Sequence, residues 1–291
     1  MSKSATRINC IGCGNYHASR VLADRVLRTF TGKRCFMDMC QGKYASVNGL
    51  QLYYEVHGRP RRDVPPLILL HGGGDTIQTS FGSILPELAR RRRIIAFERQ
   101  GYGHTADILD RPFTFEQFAD DTVALLDYLK IPRADLFGFS NGGTVALHVA
   151  IRHPERVRKL VLASAFFSHD AAEPGFWNGF ATATPDVMPK LLRDAYFAVA
   201  PAPENFERFF YKGVGLMRNF QDIPRERLQA MQAPALIVCG DSDVLRPEHA
   251  VEEYRLIPGA QLAVLPGTDH MGLTSRTEWL VPMIERFLDS P

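Results

Sequence analysis

From Tyr44 onward the chain alternates short apolar runs with amphipathic stretches. Pro66–Leu70, Arg93–Phe97, Ala134–Phe139, Val157–Ala163, Ala235–Cys239 and Gln261–Leu265 are runs of four to eight mostly apolar residues. That length and composition predict buried strands. Between them, Phe81–Arg90, Thr114–Leu129, Gly142–Arg152, Pro247–Leu256 and Trp279–Leu288 carry apolar residues at helical spacing. Thr114 with Gln117 three residues on predicts a capping box at the start of the second helix. Asn48-Gly49 between Tyr44–Val47 and Leu50–Val56 predicts a two-residue hairpin. Strands that alternate with helices imply an α/β fold, a mostly parallel sheet flanked by helices on both faces.

The alternation stops over residues 165–232. That stretch lacks clear buried strands, yet holds twelve aromatic residues, among them Phe166, Trp177, Phe209 and Phe220. So much apolar surface has to be buried against something. The stretch reads as a helical insertion lying over one end of the sheet. No apolar run approaches the ~18 residues of a membrane span.

The net charge of +2 hides a split. Residues 1–43 carry a net +6 and the remainder a net −4. Cys10, Cys13, Cys35 and Cys40 lie in the head, and only Cys239 lies beyond it. The head has no secretory signal pattern. Residues 17–30 predict a short basic amphipathic helix, which suits an organelle transit segment over about residues 1–36, an extension packed on the body, or translation that starts at Met37 or Met39. The head's cysteines with His17 match no zinc module, and unpaired thiols are ordinary in a reducing compartment. No metal and no cofactor is expected, and the expected location is cytoplasmic unless the head directs the chain to an organelle. The four arginines Arg90–Arg93 read as a solvated helix end rather than a nucleic-acid site, in keeping with the negative body.

The strongest chemical signal is Gly138-Phe139-Ser140-Asn141-Gly142, between a predicted strand and a predicted helix. A serine on such a turn is forced out of the sheet's end with its hydroxyl exposed, a nucleophile elbow. It needs a base, and the base needs an acid that holds its tautomer. Their chain order after such an elbow is acid, then histidine. Asp243 follows the strand ending at Cys239, and His270 follows the one ending at Leu265, both at strand C-termini where open α/β sheets place ligands. Asp241 and Asp269 read as turn residues. His71-Gly72-Gly73-Gly74 follows the strand Pro66–Leu70, and its amides can face a pocket unobstructed. Gly73 or Gly74, together with Asn141 after the serine, would supply the oxyanion donors. Phe139, Phe166, Trp177 and Met271 are the candidate pocket residues.

HGGG at 71–74, GYGHT at 101–105, GFSNG at 138–142, GDSD at 240–243 and GTDH at 267–270 together resemble the α/β-hydrolase superfamily, in its capped single-domain branch. The resemblance covers about residues 44–289. It implies a core of 44–164 and 233–291, a cap over 165–232, an N-terminal extension of 1–43, and a Ser140–His270–Asp243 triad. Glu98 and Gln100 depart from the Asp and Arg that many relatives carry around the loop before Gly101. The implied activity is hydrolysis of a carboxylic ester of small or medium size, in a monomer or homodimer with a small-molecule substrate and no nucleic-acid or membrane-span partner. Lactone hydrolysis, C–C bond hydrolysis and perhydrolysis use the same machinery. A non-catalytic small-molecule receptor is the alternative of a different class. An aspartate-nucleophile epoxide hydrolase or dehalogenase does not fit Ser140.

Overall fold

The computed structural model describes residues 42–62 and 64–290. The expectations placed on the cysteines and the short helix of the head lie outside the described residues.

Strands β1 (Lys43–Val47) and β2 (Leu50–His57) form the predicted hairpin. Asn48 and Gly49 have φ of 48° and 80°, the positive pair a type I′ turn requires. Alternate residues of the hairpin, Ala45, Val47, Leu50, Leu52 and Tyr54, are buried. Six further strands follow: β3 (Leu67–Leu70), β4 (Ile94–Phe97), β5 (Ala134–Phe139), β6 (Val157–Ala163), β7 (Ala235–Ser242) and β8 (Gln261–Asp269). Among the described residues the sheet order is β1-β2-β4-β3-β5-β6-β7-β8. The hairpin joins β4 antiparallel, and every later pairing is parallel.

The two faces of this sheet are covered by different helices, because successive strand side chains point to opposite sides. Ile68, Leu70, Leu136, Leu160 and Ile237 pack with α3 (Phe115–Tyr128), α4 (Asn141–Arg152) and α9 (Pro247–Leu256). Leu67, Leu69, Phe137, Val161 and Val238 pack with α1 (Ile77–Phe81), α2 (Leu85–Leu88) and α10 (Thr277–Asp289). Between β6 and β7 the chain forms α5 (Pro174–Thr182), α6 (Lys190–Val199), α7 (Phe206–Arg218) and α8 (Arg225–Gln229). Tyr196 of α6 stacks on Phe209 of α7 at 4.7 Å, and Phe209 meets Tyr102 of the sheet domain edge-on at 5.0 Å. No helix of the described residues is long and apolar enough to cross a membrane.

Three local expectations are corrected. The helix read over 81–90 shrinks to the four residues of α2, and α1 before it ends at Phe81. Thr76 opens α1 with a full capping box to Thr79, and Pro86 has no N–H to bond the Gly82 carbonyl one turn back. At Thr114 only half a box forms: its hydroxyl caps the Gln117 N–H at 3.0 Å, while the Gln117 amide donates to Asp121 at 3.1 Å. The arginine run is not wholly solvated. Arg92 is 1% exposed and donates to Asp289 at 2.8 Å, and Arg91 donates to Glu285 at 2.9 Å, so the run ties the chain's last helix to the sheet domain.

Under α9 lies a buried polar group of a different kind. Glu253 is wholly buried, and neither carboxyl oxygen has a hydrogen-bond partner among the described residues. Burial alone pushes its carboxyl from 4.5 up to about 8. Between those values the folded chain holds a proton that the unfolded chain has released, so stability falls as pH rises through that window. Glu253→Gln is therefore expected to raise the melting temperature at pH 8, with a gain that shrinks to nothing below pH 4.5. A gain that stays constant from pH 4 to 9 would contradict this account.

Candidate active site

Ser140 stands directly after β5 and caps α4, with φ 53° and ψ −125°. This strained conformation follows from how closely the helix approaches the sheet. A β-carbon on Gly142 would collide with the Leu70 carbonyl, and one on Gly138 with the backbone of Gly142. The Ser140 N–H is held by the Ala163 carbonyl at 2.8 Å, and its side chain makes no capping bond to α4. The hydroxyl is thus free to turn toward the sheet end. It lies 3.0 Å from His270 Nε2.

Strands β7 and β8 run further than their apolar stretches. After a register shift at Gly240, Ser242 pairs with Asp269. The next residue on each strand is Asp243 and His270, which the pairing sets side by side, with His270 Nδ1 2.6 Å from Asp243 Oδ1. Asp243 has no exposed side-chain surface. Burial would raise its carboxyl, but the hydrogen bond and charge of His270, the Ser164 hydroxyl and the Leu245 N–H outweigh that and hold it below its ordinary value. An ionised acceptor makes Nδ1 the donor and leaves Nε2 free to accept from Ser140. Asp241 instead accepts the Gly267 and Thr268 N–H groups at 2.9 and 3.2 Å, and Asp269 accepts the Gly272 N–H at 2.7 Å.

The glycine loop after β3 lies opposite. Gly73 and Gly74 line the same cavity as Ser140 and Asn141. The Gly73 α-carbon is packed close to the Asn141 side chain, where a β-carbon would lie 2.6 Å from Nδ2. The buried Tyr102 also lines this cavity. Glu98 supports the loop from behind. It accepts the first N–H of α1, from Ile77, at 3.2 Å, and holds His104 through its backbone at 2.6 Å and its ring at 2.8 Å. That contact raises the His104 pKa above its ordinary value. Gln100, the other departure, donates to Asp107 at 2.7 Å and accepts from Arg111. Asp107 also receives Lys212 of α7 at 2.7 Å. An arginine at position 100 would bring a second cation to that carboxylate.

A cavity of about 410 Å³ opens over Ser140 and His270. Its walls include Phe166, Phe176, Phe180, Met188, Leu192, Phe209 and Met217. Of the four candidate pocket residues, only Phe166 is among the lining. Phe139 is buried beneath, its ring 5.0 Å from that of His270. Trp177 packs on Phe220 and donates to the His169 carbonyl at 2.8 Å, and Met271 is 46% exposed. Two supporting residues escaped the sequence reading. Tyr102 lies inside the GYGHT motif, and Ser164 is the polar residue that ends β6. Their only signal was position at a strand's C-terminal end.

The fold and this arrangement belong to one family. The family model described as alpha/beta hydrolase fold matches residues 65–206. Human serine hydrolase BPHL is 30% identical over 244 residues, covering 77% of this chain and 78% of that protein. The chain belongs to the α/β hydrolase-fold family. A 2-hydroxymuconate semialdehyde hydrolase from a Pseudomonas species is 44% identical over 99 residues, a match that spans 33% of this chain and 35% of that protein's length. Among solved structures, a meta-cleavage product hydrolase from Pseudomonas fluorescens superposes with a TM-score of 0.70 at 21% identity, covering 87% of this chain and 98% of its own. An enol-lactonase from Burkholderia xenovorans gives 0.68 at 23%, covering 85% and 100%.

Lys212 ties α7 to the sheet domain through Asp107 and the carbonyls of Ile108 and Arg111. Both charged groups are largely buried. Lys212→Met is expected to cost about 1–3 kcal/mol, the range for hydrogen bonds to charged groups. It should also speed hydrogen exchange over residues 206–218 while leaving β5 and β6 unchanged. Unaltered exchange in α7 would count against this latch.

Proposed function

We propose that the protein is a serine hydrolase that cleaves an uncharged carboxylic ester through an acyl-enzyme on Ser140. The observation that carries this reading is the line of hydrogen bonds Ser140–His270–Asp243 at 3.0 and 2.6 Å, on the floor of an apolar cavity. Ser140 Oγ attacks the ester carbonyl as His270 Nε2 takes its proton. Asp243 holds the ring's tautomer and stabilises the imidazolium that forms. His270 then gives the proton to the leaving alcohol. Water, deprotonated by His270 in turn, attacks the acyl-enzyme and releases the acid. We assign the oxyanion donors to the N–H groups of Asn141 and Gly73, since both residues line the cavity with Ser140 and the Gly73 α-carbon packs against the Asn141 side chain. The segment 165–232 serves as the cap, supplying the apolar walls.

The lining narrows the substrate. No aspartate, glutamate, lysine or arginine lines the cavity among the described residues. A carboxylate-bearing substrate would lose its hydration without gaining a cation, and an α-ammonium would find no carboxylate. This favours neutral esters and lactones over the acidic diketones of ring-cleavage hydrolysis and over amino-terminal peptides.

Ser140→Ala and Asp243→Asn should each lower turnover of p-nitrophenyl butyrate by about 10⁴-fold or more. Folding should be preserved, as read by melting temperature. The p-nitrophenyl half-ester of succinic acid, with the same four acyl carbons but ending in a carboxylate, should give a kcat/KM at least about 100-fold lower than the butyrate. Equal rates would refute the uncharged-substrate assignment. Stoichiometric fluorophosphonate labelling of Ser140 without repeated turnover of any ester would favour a receptor.

A further inference from the structure

Two buried side chains stand behind the glycine loop. His71 and Arg99 are 0% and 1% exposed. The Arg99 backbone N–H donates to His71 Nε2 at 3.2 Å. Nε2 is therefore the acceptor nitrogen, and the ring proton sits on Nδ1, which donates to the Gly72 carbonyl at 2.9 Å. Burial and the neighbouring Arg99 charge keep the ring neutral. The same carbonyl accepts from Arg99 Nη2 at 2.9 Å. The Gly72 N–H is fixed as well, to Ser80 Oγ at 3.0 Å. Both polar backbone atoms of Gly72 are thus pinned by buried side chains.

The consequence falls on the next residue. The Gly72 carbonyl and the Gly73 N–H belong to one peptide plane, and in a trans peptide they point in opposite directions. None of the peptide bonds among the described residues is cis. With the carbonyl drawn back to His71 and Arg99, the Gly73 N–H is directed away from them, toward the cavity that Gly73 lines.

The guanidinium is placed at a cost that packing does not require. It lies 4.9 Å from the ring centroid of Tyr102 and 5.1 Å from that of Phe118. Its Nε and Nη1 have no hydrogen-bond partner among the described residues. The carboxyl that bears on it is Asp75, itself buried and already accepting the Thr79 hydroxyl at 2.7 Å. An apolar side chain would fill the same space between two aromatic rings without desolvating a charge. What the cation adds is a charge-assisted hydrogen bond to the peptide that carries the Gly73 N–H.

We propose that Arg99 is a positioning residue for the oxyanion: by holding the Gly72 carbonyl it aims and polarises the Gly73 N–H, and passes the field of a buried cation to the substrate oxygen as that oxygen becomes negative. The proposal rests on the acyl-enzyme reading above. It predicts an effect on the charged transition state and none on neutral ground-state binding.

The test uses the full chain and the variants Arg99→Met, Arg99→Gln and Arg99→Lys. Two matched inhibitors separate the effects. An alkyl trifluoromethyl ketone adds to Ser140 and develops an oxyanion, whereas the corresponding secondary alcohol fills the cavity and stays neutral. Arg99→Met and Arg99→Gln should lower kcat on p-nitrophenyl butyrate by about 10–100-fold, less than the loss of a donor itself, with KM within about twofold. Ketone affinity should fall by the same factor and alcohol affinity should not change. Arg99→Lys, which keeps the charge, should recover most of both losses. Should the Met variant fail to fold, the contrast between Gln and Lys decides. Equal losses for ketone and alcohol, or no loss for either, or a Lys variant no better than Gln, would overturn the proposal. A wild-type protein that forms no adduct with the ketone at Ser140 would instead overturn the acyl-enzyme reading itself.

Discussion

Backbone meets backbone where α4 begins. The α-carbon of Gly142 sits against the carbonyl of Leu70, a contact that admits no side chain. The rest of the site depends on that approach. It brings the first turn of α4 over the ends of β3 and β5, and so forces Ser140 into a positive φ with its hydroxyl directed out of the sheet. It also sets the unbonded amides of the helix start beside the glycine loop that follows β3. Ser140 and the start of α4 are thereby set beside the glycine loop by main-chain contact, while the buried side chains of His71, Ser80 and Arg99 hold the loop's own peptide.

Burial has opposite results at two carboxyls of this fold. Asp243 and Glu253 are both removed from water. Asp243 is met by an imidazole, a hydroxyl and backbone N–H groups, and stays ionised. Glu253 meets no donor among the described residues, and burial raises its carboxyl to about 8. The difference is hydrogen bonding to the charged form, since desolvation acts on both. An ionised Asp243 fixes the tautomer of His270, which then presents an acceptor to Ser140. Low polarity around these groups strengthens each of their interactions. On the proposed function, the same low polarity would disfavour a charged substrate, so one property of the surroundings would bear on both chemistry and selectivity.

The coupling of the inserted helices to the sheet domain is more polar than its aromatic composition suggests. Aromatic packing of Phe209 on Tyr102 is joined by Lys212, which reaches Asp107 and two backbone carbonyls. Gln100 shares Asp107, so the departure of this loop from the pattern of many relatives is matched by the cation that α7 brings to it.

The strands from β3 to β8, the hairpin and the placement of Ser140, Asp243 and His270 at strand ends were legible in the sequence, because each depends on local order. Apolar runs mark where strands enter the sheet, glycines mark backbone that must turn or touch, and polar residues past those runs are carried to one edge by parallel pairing. Tertiary structure alone decided the rest. Whether Phe166 or Trp177 faces the cavity depends on how helices of the insertion are rotated against one another, which composition does not encode. Whether an arginine in the run 90–93 is wetted or buried depends on Asp289, nearly two hundred residues away. In each case the deciding partner is distant in sequence, and a pattern read along the chain contains no record of it.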